Sequence, residues 1–149
     1  MTATIAATTP RERASANLGT AALSSVGLLG RILYSAIFIM SGPNHFKAET
    51  IGYAAAQGVP LATIAVPLSG IIALLGGLSI ALGYRAKLGA WLIVLFLVPV
   101  TLMLHRFWGL SDPQATGLQL AMFMKNLSLL GAALIIARLG SGPLSLKQD

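Results

Sequence analysis

The sequence has 149 residues, of which 56% are hydrophobic and 9% are charged, and its net charge is +6. Soluble domains carry roughly 25% charged residues, so this composition excludes an ordinary water-soluble fold and predicts an integral membrane protein. The basic residues are scattered among apolar runs, which argues against nucleic acid as a partner. Because the chain has no cysteine, disulfides, thiol chemistry and Cys-ligated iron–sulfur or zinc sites are excluded. With four acidic residues, no metal site is expected.

In chain order, the apolar runs predict an all-α membrane protein, a four-transmembrane-helix bundle. The predicted spans cover residues 23–43, 61–84, 88–104 and 118–138. Residues 1–22 are rich in Ala, Thr and Ser, and we expect a flexible or interfacial tail there rather than a cleaved signal peptide. Residues 139–149 are expected to form a short C-terminal tail.

The distribution of Lys and Arg predicts the orientation of the bundle. Six of these residues fall in the N-terminal tail, in the short connection between the second and third spans, and at the C-terminal end from Arg138 onward, whereas Lys47 and Arg106 alone fall in the other two loops. Basic residues favour the cytoplasmic side. We therefore expect both termini in the cytoplasm of a bacterium, and a multi-pass protein of its inner membrane.

Polar residues inside the spans mark the sides of the helices that face protein. At about 100° per residue, Arg31, Tyr34, Ser41 and His45 share one face of the first span. Lys125 and Asn126 lie in one half of the fourth span. Together with the end of the third span, these residues predict a polar pocket in the outer half of the bundle, lined by Ser41, His45, His105, Trp108, Lys125 and Asn126. Such a cationic, donor-rich pocket suits a quinone carbonyl or a lipid phosphate.

The charged residues also have simpler interpretations. Arg31 lies roughly 10 Å inside the inner edge of its predicted span, and both Arg31 and Lys125 are long enough to extend their charges to a membrane surface. Arg31 and Tyr34 are therefore interpreted as structural polar residues within the bundle. No catalytic residue is assigned from the sequence.

The end of the third span has two interpretations as well. Phe107 and Trp108 are typical of an interfacial aromatic anchor, and with Arg106 they form a predicted docking site for a protein partner. His45 and His105 lie at span ends, where histidine is common. A haem held between these two histidines is imaginable but disfavoured.

Several segments resemble the DoxX family of small bacterial membrane proteins. They are residues 30–42, Leu75-Gly76-Gly77, Gly83-Tyr84-Arg85, His105-Arg106-Phe107-Trp108, residues 123–131 and residues 142–146. Many members carry a lysine shortly after the Ser-Gly of the first span, where this chain has Pro43-Asn44-His45-Phe46. The resemblance covers residues 26–147, nearly all of the predicted bundle.

The resemblance implies a four-helix membrane protein that works beside redox enzymes, often through the quinone pool. The family is similar in architecture to the small subunit of a thiosulfate:quinone oxidoreductase. Our first hypothesis is therefore a quinone-binding membrane subunit of an oxidoreductase. Lys125 and Asn126 would bind the quinone head group, His45 or His105 would relay protons, and electrons would come from a partner.

Two alternatives stay open. The chain could be a non-catalytic membrane anchor that positions a partner enzyme through its His-Phe-Trp loop. It could also be a transporter of a small solute or lipid, in which the polar faces of the spans line a path, most naturally in an oligomer. Membrane lipids are expected as neighbours in each case.

Overall fold

A computed structural model describes the backbone of residues 10–147, together with the side chains of residue 11 and residues 19–147. The helices are α1 (Pro10–Ser41), α2 (Ala48–Ala56), α3 (Ala62–Leu82), α4 (Ala86–Leu104) and α5 (Pro113–Leu139), and a 3-10 helix covers Gly42–Phe46. Four segments are long and apolar enough to cross a membrane: Gly19–Phe46, Ala62–Leu82, Ala86–Leu104 and Pro113–Leu139. The predicted all-α fold with four membrane-spanning helices is confirmed.

The two ends of the chain differ from what the sequence suggests. Helix α1 begins at Pro10, inside the segment expected to be a tail, while residues 1–9 and 148–149 lie outside the described residues. After α5 the chain folds back on the bundle. The backbone N–H of Leu146 donates to the Leu82 carbonyl at 3.1 Å, and that of Lys147 donates to the Gly83 carbonyl at 3.0 Å.

Local sequence explains where helices begin and end. The Asp112 carboxylate accepts hydrogen bonds from the backbone N–H groups of Gln114 and Ala115, at 3.3 and 3.0 Å, and so caps the start of α5. Pro113 occupies the first turn, where its missing N–H costs nothing. At the end of α3, Gly83 adopts a φ of +63°, which glycine reaches without strain.

Helix α3 is the centre of the bundle because its small residues let neighbours approach closely. An added Cβ at Gly76 would lie 2.9 Å from the carbonyl oxygen of Gly89 on α4, too close for any side chain. Small residues at such crossings allow the backbone contacts that hold helices together in lipid. The buried core around this crossing contains Phe38, Ala73, Ile80, Ala90, Ile93, Phe96, Leu97 and Ala133.

The bundle has two chemically different ends. One, which we call the basic end, carries Arg31, Arg85, Lys87, Arg138 and Lys147; the other, the histidine end, carries His45 and His105. The sequence suggests that Arg31 lies well inside the membrane. In the structure the Arg31 guanidinium lies against Gly83, in the turn after α3, and α1 begins at Pro10 rather than near residue 23.

Candidate functional site

The first span ends in a tight turn that carries His45 against α3. Ser41 is the last residue of α1, and the chain continues as the 3-10 helix, with Pro43 in its first turn. This turn contacts α3 at Gly70, where an added Cβ would lie 2.6 Å from the Cβ of His45 and 3.0 Å from the Gly42 carbonyl oxygen. Glycine at residue 70 is therefore what allows the histidine backbone to sit this close to α3.

The His45 imidazole is oriented by two consecutive hydrogen bonds. Its Nδ1 lies 2.8 Å from Ser69 Oγ, and the Ser69 hydroxyl donates to the Val66 carbonyl at 2.7 Å. A hydroxyl has one proton, and here the carbonyl receives it, so Ser69 Oγ accepts and His45 Nδ1–H donates. The neutral imidazole therefore carries its lone pair on Nε2. The Phe96 ring packs 5.6 Å away, centroid to centroid.

A cavity of about 210 Å³ lies beside His45, between α2, α3 and α4. Its lining is almost wholly apolar and consists of His45, Thr50, Tyr53, Ala54, Val59, Pro60, Ala65, Val66, Ser69, Pro99, Val100, Met103 and Leu104. Tyr53 is 48% exposed, so the cavity reaches the surface of the bundle. An apolar pocket with a few fixed polar groups is the usual form of a small-molecule site.

Of the six residues predicted to line a polar pocket, the cavity contains His45 alone. Ser41 is half-buried at the end of α1. His105 follows α4, and its Nδ1 lies 3.0 Å from Gln119 Oε1 on α5. Trp108 is half exposed in the loop that follows. These four predicted residues therefore lie at the same end of the bundle, in different surroundings.

Lys125 and Asn126 do not share a pocket. Asn126 and Ala133 are 4% and 0% exposed and form the inward stripe of α5, seven residues apart. Consecutive helical residues differ in direction by about 100°. Burying Asn126 therefore turns Lys125 to the outer surface, where its Nζ donates to the Met122 sulfur at 3.5 Å.

Arg31 and Tyr34 each join parts of the chain that are distant in sequence. The buried Arg31 guanidinium donates to the Ser141 carbonyl, the Ser145 hydroxyl and, at 2.6 Å, the Leu144 carbonyl. The Tyr34 hydroxyl donates to the Leu129 carbonyl of α5 at 3.0 Å. These bonds tie the C-terminal segment and α5 to α1.

The three residues predicted to dock a partner make two kinds of contact in the structure. Arg106 donates to the carbonyl of Gln57, the residue that ends α2, at 3.1 Å. Phe107 and Trp108 form an edge-to-face cluster with Phe123 of α5, with ring centroids 5.2 to 6.1 Å apart. Arg106 thus holds the wall of the cavity that α2 provides, while Trp108 remains available at the surface.

Sequence reasoning missed Tyr53, Ser69 and Met103, which line the cavity. The sequence places Tyr53 in the connection between the first two predicted spans, where no site residue is expected. A signal for Ser69 existed: it is a hydroxyl next to Gly70 in an otherwise apolar span. Met103 carries no such signal, because methionine is ordinary in an apolar helix.

The polar groups at the histidine end do not form a metal site. Between residues 19 and 147, no three His, Asp or Glu side chains lie close enough to hold a metal ion. The imidazoles of His45 and His105 contact different partners, Ser69 and Gln119. The lining of the cavity is almost wholly apolar, which suits an organic ligand.

This fold and site define a multi-pass four-helix membrane protein with a small apolar cavity near one end. The DoxX family model matches residues 26–106, just over half of the chain, and the chain belongs to the DoxX family. The predicted family is confirmed. The matched range ends before residues 123–131, where part of the resemblance was seen.

Two curated relatives come from Escherichia coli strain K12. The inner membrane protein YphA is 29% identical over 121 residues, which are 80% of this chain and 86% of YphA. The inner membrane protein YqjF is 32% identical over 127 residues, 83% of this chain and 92% of YqjF. No solved structure matches the chain. The relatives and the four apolar helices identify a multi-pass protein of the bacterial inner membrane.

Proposed function

We propose that the chain is the membrane subunit of an oxidoreductase and binds a quinone head group in the cavity beside His45. The observation that carries this proposal is a small apolar cavity with one oriented imidazole in its wall. Lys125, which faces outward, is left out of this site, and so are Asn126, His105, Ser41 and Trp108.

The size and surroundings of the cavity suit a six-membered ring. A cavity of about 150 Å³ in another protein holds benzene, so about 210 Å³ accommodates a ring with small substituents. Tyr53 and Pro60 lie at the exposed rim. An apolar tail can therefore leave the cavity towards the bilayer while the head group stays inside.

His45 supplies the acid–base chemistry that this ligand needs. A bound quinone carries two electrons and two protons between its oxidised and reduced forms. With its lone pair on Nε2, His45 would accept a hydrogen bond from a head-group hydroxyl, and when protonated it would donate to a head-group carbonyl. His45 would thus exchange one of the two protons, and water at the exposed rim would exchange the other. Since the chain has no cysteine to carry a thiol or an iron–sulfur cluster, the proposal places the electron-transferring centre in a partner subunit.

A cavity-filling substitution tests the site. Met103→Trp places a larger side chain in the cavity wall, and Met124→Trp makes the same change at a half-exposed position of α5. We expect Met103→Trp to weaken binding of a short-chain ubiquinone by at least about tenfold in lipid nanodiscs, and Met124→Trp to bind as the wild type does. Equal affinity for the two variants would overturn the proposal.

The orientation of the bundle belongs to the same proposal. We place the basic end in the cytoplasm, because basic residues favour that side, and the cavity near the periplasmic surface. The natural absence of cysteine allows a direct test with single cysteines at Lys47 and Arg85. An impermeant maleimide should label Lys47→Cys in intact cells and Arg85→Cys only after lysis. The opposite pattern would reverse the orientation.

A second candidate is a non-catalytic scaffold. The observation that favours it is the Phe107, Trp108 and Phe123 cluster, in which Trp108 is 52% exposed. Large aromatic side chains are frequent anchors in protein interfaces. If the chain is a scaffold, Trp108→Ala releases an oxidoreductase partner from the purified complex, while Met103→Trp retains it and leaves its turnover unchanged.

A further inference from the structure

The basic end carries a second concave feature, on the face of the bundle opposite to its packed core. A groove of about 520 Å³ runs along the outer surface of α3 and α4. Its floor and sides are leucines: Leu75, Leu78, Leu82, Leu88 and Leu92. Tyr84 and Arg85, in the turn between the two helices, also line it. The groove is thus apolar along its length and cationic where the helices end.

The C-terminal segment forms one wall of this groove. Leu146 lines it, and the Leu146 backbone N–H donates to the Leu82 carbonyl. The buried guanidinium of Arg31 holds the preceding residues through the carbonyls of Ser141 and Leu144. A buried arginine, which is costly in an apolar bundle, is therefore used to position a wall of the groove.

Among the described side chains, those that are charged at this end are all basic. Arg85 lies with its guanidinium carbon 5.9 Å from the Tyr84 ring centroid, and Lys87, Arg138 and Lys147 belong to the same end. Between residues 19 and 147, both carboxylates belong to Glu49 and Asp112, at the histidine end. The oxygens bound to Arg31 are carbonyls and a hydroxyl, none of which carries a charge.

We infer that this groove binds an anionic phospholipid, with one acyl chain along the leucines and the phosphate at Arg85. Leucine side chains match a hydrocarbon chain, and a basic pocket at the membrane surface attracts anionic head groups. An acyl chain in the groove puts its head group at the end of the helices, where Arg85 lies. The site is at the opposite end from the His45 cavity and does not depend on the proposed quinone function.

Native mass spectrometry of the detergent-purified full chain tests the inference. The probes are phosphatidylglycerol, phosphatidylcholine with the same acyl chains, and inorganic phosphate. The wild type should bind phosphatidylglycerol more tightly than phosphatidylcholine. Arg85→Gln should lower phosphatidylglycerol affinity about fivefold, because a basic residue near the surface contributes about 1 kcal/mol to such binding. It should lower phosphatidylcholine affinity less, because the choline cation offsets the charge of that lipid's phosphate. Lys47→Gln removes one charge at the histidine end and should bind as the wild type does.

A second variant tests the acyl chain. Leu78→Trp fills the groove at a surface position that is 43% exposed, so the core is left intact. Leu78→Trp should weaken the binding of both phospholipids equally. The inference is overturned if Arg85→Gln keeps the wild-type preference for phosphatidylglycerol, if Leu78→Trp binds both lipids normally, or if inorganic phosphate displaces the lipid at equal concentration. A dimer that forms in place of the lipid adduct and is lost in Leu78→Trp would assign the groove to a second copy of the chain.

Discussion

The two histidines lie at the same end of the bundle, and both are half-buried, yet their surroundings differ completely. His45 sits on a tight turn pressed against Gly70, with its ring fixed by Ser69 beside an apolar cavity. His105 ends α4 and pairs with Gln119. A position at the end of a span therefore does not by itself determine the contacts of a histidine. The residue on the facing helix decides it.

The largest effect is expected from Gly70→Ala, which disturbs the packing of the turn that carries His45. Gly70→Ala puts a Cβ 2.6 Å from the His45 Cβ, and relief of that overlap requires the turn to move. We expect a loss of about 1–3 kcal/mol in the free energy of unfolding, measured in detergent, together with loss of quinone binding.

The matched glycine is Gly117 on α5, where an added Cβ meets nothing within 4 Å. Gly117→Ala should leave stability unchanged or raise it by up to about 1 kcal/mol, because alanine favours a helix over glycine. If Gly70→Ala is as stable as Gly117→Ala, the turn is not held by close contact with α3.

The next effect compares the histidines directly. His45→Phe keeps a planar ring against Phe96 but removes the Nε2 lone pair. Binding of a short-chain quinol should weaken about fivefold to tenfold, which corresponds to one lost hydrogen bond. His105→Phe should leave the affinity unchanged, because that ring does not line the cavity. Titration of quinol into both variants in nanodiscs gives the two dissociation constants, and equal losses would contradict the distinction.

A smaller effect is expected from the residue that orients His45. Ser69→Ala removes the acceptor of Nδ1–H but leaves the ring in place, so either ring nitrogen can then carry the proton. We expect quinol affinity to fall about threefold. The same substitution at Ser128, which is exposed on α5, is the control. A loss in Ser128→Ala equal to that in Ser69→Ala would show that the effect does not act through the imidazole.

The smallest effect concerns the aromatic cluster beside His105. Trp108→Ala removes two edge-to-face contacts, with Phe107 and Phe123. Because aromatic pairs contribute about 0.5–1.5 kcal/mol and Trp108 is half exposed, stability should fall by no more than about 1 kcal/mol. Quinone affinity should not change. A large loss of affinity in this variant would place the ligand at the His105 side.

Much of the fold follows from the sequence alone. Long apolar runs and their Gly, Pro and Asp boundaries predict the four spans, because a chain in lipid has to satisfy its backbone within helices. Asp112 caps the start of α5 and Gly83 ends α3, and both residue types favour these positions. The beginning of α1 at Pro10 could not be predicted, since an Ala-rich segment with little periodicity suits a helix or a tail equally well.

The site was harder to predict, for physical reasons that particular residues illustrate. A helical wheel places Lys125 and Asn126 in the same half, but which of them faces inward depends on the rotation of α5 against α4. That rotation is set by contacts such as the one between His105 and Gln119. The cavity wall supplied by Tyr53 depends on how α2 folds over α3, and no local pattern contains that information.

Photoaffinity labelling with a quinone shows directly which residues lie beside the bound ring. A short-chain azidoquinone is added to native membranes that contain the protein, and the sample is irradiated. The labelled residues are then mapped by mass spectrometry. We expect label on Tyr53, Met103 or their neighbours in the cavity wall, and loss of that label in Met103→Trp but not in Met124→Trp. Label concentrated on α5 around Lys125 and Asn126, unaffected by Met103→Trp, would contradict this location of the quinone site.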